Sequence, residues 1–317
     1  MVKRTQTRFV ARMIKGAVPA ADMPGFIPPQ LATLKLRAPV GEKWIHEIKY
    51  DGYRVQVHLN KGNVKLYTRN GHDWTNRFAI IAESFNIPVE RAIFDGEIVV
   101  VKDGRTNFSQ LQAELASGRQ RALAFYAFEL LFLEGFDLQR SPQLERKRVL
   151  KMLFDETKLK SPILYSDHLV TDGNEMFQHA CKLNWEGIIS KNAEAPYRSE
   201  RNEGWLKIKC SQRAKFPVIG FIKDPGGIAA LYLGKHDGKE LSYIGKVGTG
   251  WSRTVSADLR KKLNEVVSPK SKLTKPVRKP KATWVEPKFY AEVEYRDITS
   301  EGLLRHSSFK GLSDRRN

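Results

Sequence analysis

The chain has 317 residues, 41% hydrophobic and 28% charged, which excludes a disordered polyelectrolyte and suits two domains, each able to bury its own core. No apolar run approaches the roughly 18 residues needed to span a bilayer. The formal charge of +19 predicts a polyanionic partner, with nucleic acid favoured over an anionic membrane surface.

Residues 1–27, beginning MVKRTQTRFVARMIKG, are basic, contain scattered Pro, Gly and Ala, and show no sustained period. They read as a flexible basic arm rather than a targeting segment. Short alternating runs at Trp44–Tyr50 and Tyr53–Leu59, joined around Asp51–Gly52, predict strands, as do Lys65–Thr68 and Ala92–Lys102. Asn107–Ala116 predicts a helix and Leu123–Leu133 a buried strand. Ser141–Leu153 reads as a helix with Ser141 as cap and Pro142 at its first position. Asn174–Lys182 predicts another helix, and Gly187–Lys191 and Trp205–Lys209 predict strands. The polar stretch SQRAKFP after Cys210 marks a domain boundary. Beyond it, Val218–Lys223, Ala229–Leu233, Leu241–Val247 and Lys288–Arg296 are short strands of the kind that build a small β-barrel. The Lys/Pro-rich stretch Pro269–Lys281 reads equally as a solvated loop or as an arm that tracks phosphates.

Residues 211–317 hold 22 Lys and Arg against 11 Asp and Glu, so this third of the chain carries more than half of the excess charge and is expected to grip the polyanion. Cys181 and Cys210 have no metal-ligand spacing and no secretory context, so they are expected to be free thiols in a reducing compartment.

Four segments carry the chemistry. In HEIKYDGYR, residues 46–54, strand alternation puts Glu47, Lys49 and Asp51 on one face. FDGEIVV, residues 94–100, supplies Glu97; EGIISK, residues 186–191, supplies Glu186 and Lys191; WLKIK, residues 205–209, puts Lys207 and Lys209 on a shared face. Taken singly, each has a bland alternative: a surface ion pair, a turn acid, an edge-strand charge, snorkelling lysines. Together they describe a lysine nucleophile among cations and hard oxygen ligands. A lysine attacks only as the free amine, and nearby cations favour that form. Asp51, Glu97 and Glu186 suit Mg²⁺ or Mn²⁺. The inferred reaction is attack on a nucleoside triphosphate, giving a phosphoramidate and pyrophosphate. The chain has no GxxxxGK[ST] or GxGxxG loop, so phosphate binding falls to side chains on strands.

These segments resemble the covalent nucleotidyltransferase superfamily of DNA ligases, RNA ligases and mRNA capping enzymes. KYDGYR at 49–54 matches its KxDGxR motif, which implies Lys49 as the adenylated residue and Arg54 as a ribose contact. TRNG at 68–71 makes Arg69 a candidate for the 5′-phosphate at a nick, and FDGE places Glu97 near the ribose and metal. FYAFELLFLEG at 125–135 supplies Phe128 to stack on the purine; Glu186 is a metal ligand, and Lys207 and Lys209 face the α-phosphate. Glu47, with neighbouring Ile48, stands where ATP-dependent ligases recognise the adenine amine, which favours a DNA ligase over an RNA ligase or capping guanylyltransferase. The retained mix of acids and lysines opposes a non-catalytic binding module.

The resemblance covers roughly residues 28–312 and keeps the family's motif order. It implies an α+β fold: a nucleotidyltransferase (ATP-grasp-like ligase) domain of antiparallel sheets with flanking helices over 28–210, then an OB-fold β-barrel over 211–317. IPPQLATL, VGTGW at 247–251 and LRHSSFKGL at 304–312 are similar to ligases of the bacterial end-joining pathway. That implies ATP as AMP donor, Mg²⁺ or Mn²⁺, and duplex DNA with nicks or breaks as substrate. It also implies the DNA-end protein Ku and an end-joining polymerase as partners, and a cytoplasmic, nucleoid-associated monomer without membrane attachment. Lys191, Arg305 and Lys310 are the further DNA contacts expected. The chain departs from such ligases in ending GLSDRRN, where they continue a basic and acidic cluster to a lysine; Arg305, His306, Lys310, Arg315 and Arg316 are its substitutes.

Overall fold

The computed structural model describes residues 10–102, 104–157, 159–299, 301–305 and 307–314, which divide into two compact units, Met1–Cys210 and Ser211–Asn317. The first unit holds two sheets. One is built from β1 (Val18–Pro19), β4 (Tyr53–Asn60), β5 (Asn63–Thr68), β6 (Arg91–Lys102), β8 (Leu123–Leu133) and β9 (Phe136–Asp137), in the order β1-β9-β8-β6-β4-β5. β7 (Arg105–Thr106) adds to β6, and β10 (Ile163–Tyr165) lies parallel to β8. β8 reads LAFYAFELLFL and is buried almost throughout, because a central strand covered on both faces needs apolar side chains on both. The helices α1 (Ala79–Ser84), α2 (Phe108–Ala116) and α3 (Gln143–Thr157) contribute Ile81, Leu111, Val149 and Leu153 to this core.

The second sheet runs β11-β3-β12-β13-β2, from β11 (His168–Leu169), β3 (Trp44–Ile48), β12 (Gly187–Asn192), β13 (Arg201–Lys209) and β2 (Leu31–Leu34). Only the β13–β2 pair is parallel. The helix α4 (Gly173–Lys182) covers one face, packing Met176, Phe177 and Ala180 with Ile188 and Ile208. Two motif glycines are packing requirements. A Cβ at Gly52 would strike the Ile98 carbonyl, and one at Gly187 would strike the Ile208 carbonyl on a backbone already at φ +141.

Residues 10–27 do not behave as a flexible arm. Ala11 and Ile14 are buried in the main core, Val18–Pro19 pairs with Phe136–Asp137, and the Ile27 backbone exchanges two 3.0 Å hydrogen bonds with the Gln56 amide. Isolated apolar residues in a basic segment left no period to read, yet each finds a place on the large sheet. The cysteine expectation is also corrected: Cys181 and Cys210 form a disulfide. α4 packs on the sheet and brings their Cα atoms to 5.4 Å although they lie 29 residues apart, a proximity that spacing along the chain does not reveal.

In the second unit β14 (Gln212–Asp224) starts two residues after Cys210, so most of SQRAKFP is strand rather than linker. Its first half pairs with β18 (Tyr290–Tyr295) and its second with β15 (Gly227–Asp237). The sheet continues through β16 (Glu240–Val247) on one side and β21 (Ser308–Ser313) on the other, with β17 (Thr283–Trp284) against β14. A helix that the sequence reading missed, α5 (Arg253–Asn264), starts at Ser252, whose Oγ accepts the Val255 N–H, and buries Leu259 and Leu263 in the barrel core. β19 (Asp297–Ile298) and β20 (Leu304–Arg305) form a small hairpin. The stretch 269–281 is tied down: Leu273 and Val277 pack beside Ile219 and Tyr232, and Thr274 bonds twice to Leu241, while Lys270, Lys275 and Arg278 stay exposed.

His58 is buried on β4, with Nε2 2.8 Å from Gln56 Oε1, and burial pushes its pKa down to about 4. The unfolded chain, at the ordinary value near 6.5, takes up a proton first. The stability this histidine contributes is therefore complete above pH about 6.5 and is lost as pH falls toward 4, by up to about 3 kcal/mol. Urea melts at pH 7 and pH 4.5 should show a clearly smaller acid loss in His58→Gln than in the natural chain.

Candidate active site

β3 ends at Ile48, and the Lys49 N–H continues the ladder by donating to the Gly187 carbonyl at 2.9 Å. That bond fixes Lys49 at the mouth of a cleft of about 570 Å³ in the first unit, large enough for a nucleotide. Ile48, Arg69, Glu97, Phe128, Trp205 and Lys207 share its lining. The register explains how distant motifs meet. Glu47 lies opposite Ile189 on β12, Ile189 opposite Lys207 on β13, and Gly187 opposite Lys209.

Glu186 is the pivot. Its Oε2 accepts from Lys49 Nζ at 2.5 Å, and Lys209 Nζ stands 3.2 Å from its Oε1. The carboxylate is buried, whereas Lys209 is 42% exposed, so the inner ion pair is the better protected from solvent screening. Burial pushes the Glu97 carboxyl up to about 8, with the Lys49 and Arg54 cations opposing and Glu186 adding to the rise. Burial lowers Lys207, and Arg201, Lys209, Lys49 and Arg69 push it the same way. The cleft is thus a region of concentrated positive charge with too few acids to balance it, a setting built for phosphates.

Phe128 presents its ring to the cleft, edge-on to Trp205 at 6.1 Å. Arg54 also lines it but is firmly tethered. Its Nε and Nη2 reach both Asp95 oxygens at 3.0 and 2.6 Å, its Nη1 donates to the Gln30 carbonyl at 2.6 Å, and its guanidinium lies 5.4 Å from the centroids of both Phe128 and Trp205. Burial works against this cation, but Asp95 and Tyr197 raise its pKa. Asp95, Tyr197, Trp205, Arg201 and Lys147 belong to the site and were not anticipated. The signal for Asp95 was at hand, since it precedes Gly96-Glu97 in FDGE.

The other expected residues fall differently. Glu47 lines the cleft but is 2% exposed, clasped by Lys191 at 2.8 Å and Lys147 at 3.2 Å. Lys191, expected on DNA, is therefore an inward residue, 2% exposed and set against the rings of Phe128 and Trp205. Asp51 lies past the end of β3, its N–H donating to Thr106 Oγ1 at 3.3 Å, and does not line the cleft, so the alternation assumed for Glu47, Lys49 and Asp51 stops short of it. Among the described residues no three His, Cys, Asp or Glu side chains cluster as a ready-made metal cage. Arg305 and Lys310 lie in the second unit, where Lys310 pairs with Glu294 at 3.6 Å. His306, Arg315 and Arg316 lie outside the described residues.

Residues 31–209 match the family described as ATP dependent DNA ligase domain, and 224–316 match the ATP dependent DNA ligase C terminal region. The chain belongs to the ATP-dependent DNA ligases. It is 36% identical over 303 residues to the multifunctional non-homologous end joining protein LigD of Pseudomonas aeruginosa, an overlap of 92% of this chain and 36% of that protein. The LigD of Mycolicibacterium smegmatis is 31% identical over 86% of this chain. The ligase thus spans about a third of the length of these relatives. Among solved structures it is similar to the ligase domain of M. tuberculosis LigD, at 31% identity and a TM-score of 0.55, covering 91% of this chain and 95% of that one. It is also similar to mycobacterial DNA ligase D complexed with ATP and MES, at 30% identity and 0.55, covering 92% and 96%. The α+β architecture with a C-terminal OB-type barrel is that of these ligases. Among the described residues no helix is long and apolar enough to cross a membrane.

Replacing Asp95 by Asn should leave the Arg54 cation without its carboxylate in a half-closed site, at a cost of about 3 kcal/mol. A shift of the urea midpoint without a change in m-value would register that loss.

Proposed function

We propose that this ligase seals 5′-phosphate/3′-hydroxyl breaks in duplex DNA through an AMP carried on Lys49. The supporting observation is Lys49, paired with Glu186, in the lining of a nucleotide-sized cleft with Glu97, Arg69 and Lys207. In the first step Lys49 Nζ attacks the α-phosphorus of ATP, a P–N bond forms, the P–O bond to pyrophosphate breaks, and the Nζ proton leaves toward Glu186 Oε2. Lys207 and Lys209 take up negative charge at the α-phosphate. Phe128 offers its ring face to the purine. The AMP then passes to a DNA 5′-phosphate, with Arg69 as its anchor, and the 3′-hydroxyl displaces AMP to close the backbone.

Glu97 and Glu186 suit Mg²⁺ or Mn²⁺. Both are hard oxygen donors, and a carboxyl pushed up by burial beside phosphates gains from a cation. Two carboxylates with substrate phosphates completing the shell is a common way to hold Mg²⁺. Such an ion, when bound, supplies positive charge against the triphosphate.

The resemblance to LigD supports work in end joining, with Ku and an end-joining polymerase as partners and broken ends as well as nicks as substrate. The second unit, with its excess of basic residues including Arg305 and Lys310, supplies phosphate contacts.

Incubation with labelled ATP and Mg²⁺ or Mn²⁺ should label the natural chain and leave Lys49→Ala unlabelled; label retained by the variant would refute the assignment. With nicked DNA and nicked RNA in parallel, only the DNA should be joined. Affinity for a nicked duplex should fall roughly 10³-fold between about 50 and about 200 mM salt, the loss expected for about six phosphate contacts. A flat salt response would remove the second unit from the DNA.

A further inference from the structure

The Glu47 carboxylate is held by groups on β12, on α3 and on the link between β10 and β11. Lys191 Nζ, from β12, lies 2.8 Å from Oε1; Lys147 Nζ, from α3, lies 3.2 Å from the same oxygen; and Ser166 Oγ donates to Oε2 at 3.1 Å. Lys147 is fully buried, donates also to the Ser166 carbonyl, and stands 4.4 Å from the Tyr165 ring centroid. It does not line the nucleotide cleft, whereas Glu47 and Lys191 do. A buried ammonium placed behind a cleft carboxylate contacts no nucleotide, so its place in the reaction has to be exerted through Glu47.

We propose that Lys147 is a positioning residue for nucleobase selection: it locks Glu47 as a fixed, acceptor-only group that admits a purine bearing an amine toward it and rejects one bearing a carbonyl. This rests on the reading of the cleft as an ATP site. An ionised carboxylate has only lone pairs to offer. Two ammoniums flank Oε1 as ion pairs and Ser166 Oγ donates to Oε2, so the Glu47 carboxylate is held in one orientation. Adenine offers its exocyclic amine to such a group, whereas guanine offers an oxygen whose lone pairs oppose the carboxylate. Without Lys147 the carboxylate gains freedom to turn, and a carboxylate that can turn away from the base no longer opposes the guanine oxygen as strongly. Burial pushes Lys147 down to about 8, with Glu47 pulling the other way, so the two charges sustain each other.

The test compares the full chain with Lys147→Met, Lys147→Arg and Ser166→Ala, measuring the rate of self-labelling against concentration for ATP, GTP and purine riboside triphosphate, which lacks the amine. The natural chain should prefer ATP to both others. Lys147→Met should lose about tenfold of that preference, mainly through a higher KM for ATP and with a smaller change in kcat. Lys147→Arg should restore most of it, and Ser166→Ala should lose about threefold. A folded Lys147→Met with the natural ATP:GTP ratio would overturn the proposal while leaving the ligase assignment intact. Should Lys147→Met fail to fold, unchanged selectivity in Ser166→Ala overturns it instead. Absence of labelling of the natural chain by ATP would sink the assignment on which it rests.

Discussion

The register of β3 against β12, and of β12 against β13, is the constraint on which the site depends. One backbone bond, from the Lys49 N–H to the Gly187 carbonyl, sets the Lys49 side chain beside Glu186. The next strand sets Lys207 and Lys209 two residues apart along the same edge. A slip of one residue in β12 would carry Lys191 from the cleft to the opposite face and bring apolar Ile188 toward it. Gly187 enforces the register, since a side chain there would meet the Ile208 carbonyl of the neighbouring strand.

Three carboxylates at or beside this cleft have three environments, and therefore three chemistries. Glu186 is shared by an inner and an outer lysine. Glu97 is buried among cations yet held up near 8, which keeps it receptive to added positive charge. Glu47 is enclosed by two buried ammoniums and a hydroxyl. A further buried pair, Arg146 with Glu129, anchors α3 to β8 through two hydrogen bonds of 2.8 and 2.9 Å, and so fixes the helix that delivers Lys147. Arg146 and Lys147 are adjacent in sequence, and both are turned inward.

Much of the site was legible because its motifs carry their own geometry. Lys49, Glu97, Glu186 and Lys207 each sit on or beside a strand with a clear apolar pattern, so alternation and motif order were enough to group them. What could not be read depends on long-range packing. Lys191 looks like an edge charge until Phe128 and Trp205 close around it. Asp51 looks like the third acid of a row until β3 ends at Ile48. α5 was hidden by a polar composition, with only Leu259 and Leu263 as buried apolar residues, beside a buried Ser256. Residues 10–27 seemed structureless because their few apolar positions answer to the sheet rather than to each other.

The sequence by itself determined membership of a ligase family, a basic second unit, and which lysines and acids are the candidates for its chemistry. Those features rest on residue type and local spacing, which the chain carries unfolded. The tertiary structure decided which charges face substrate and which face one another. A Lys–Glu pair in the interior is set by elements more than a hundred residues apart, as with Glu47 and Lys191, and local pattern holds no information about such distant partners. The disulfide between Cys181 and Cys210 has the same origin: only the packing of α4 on its sheet brings the two sulfurs together.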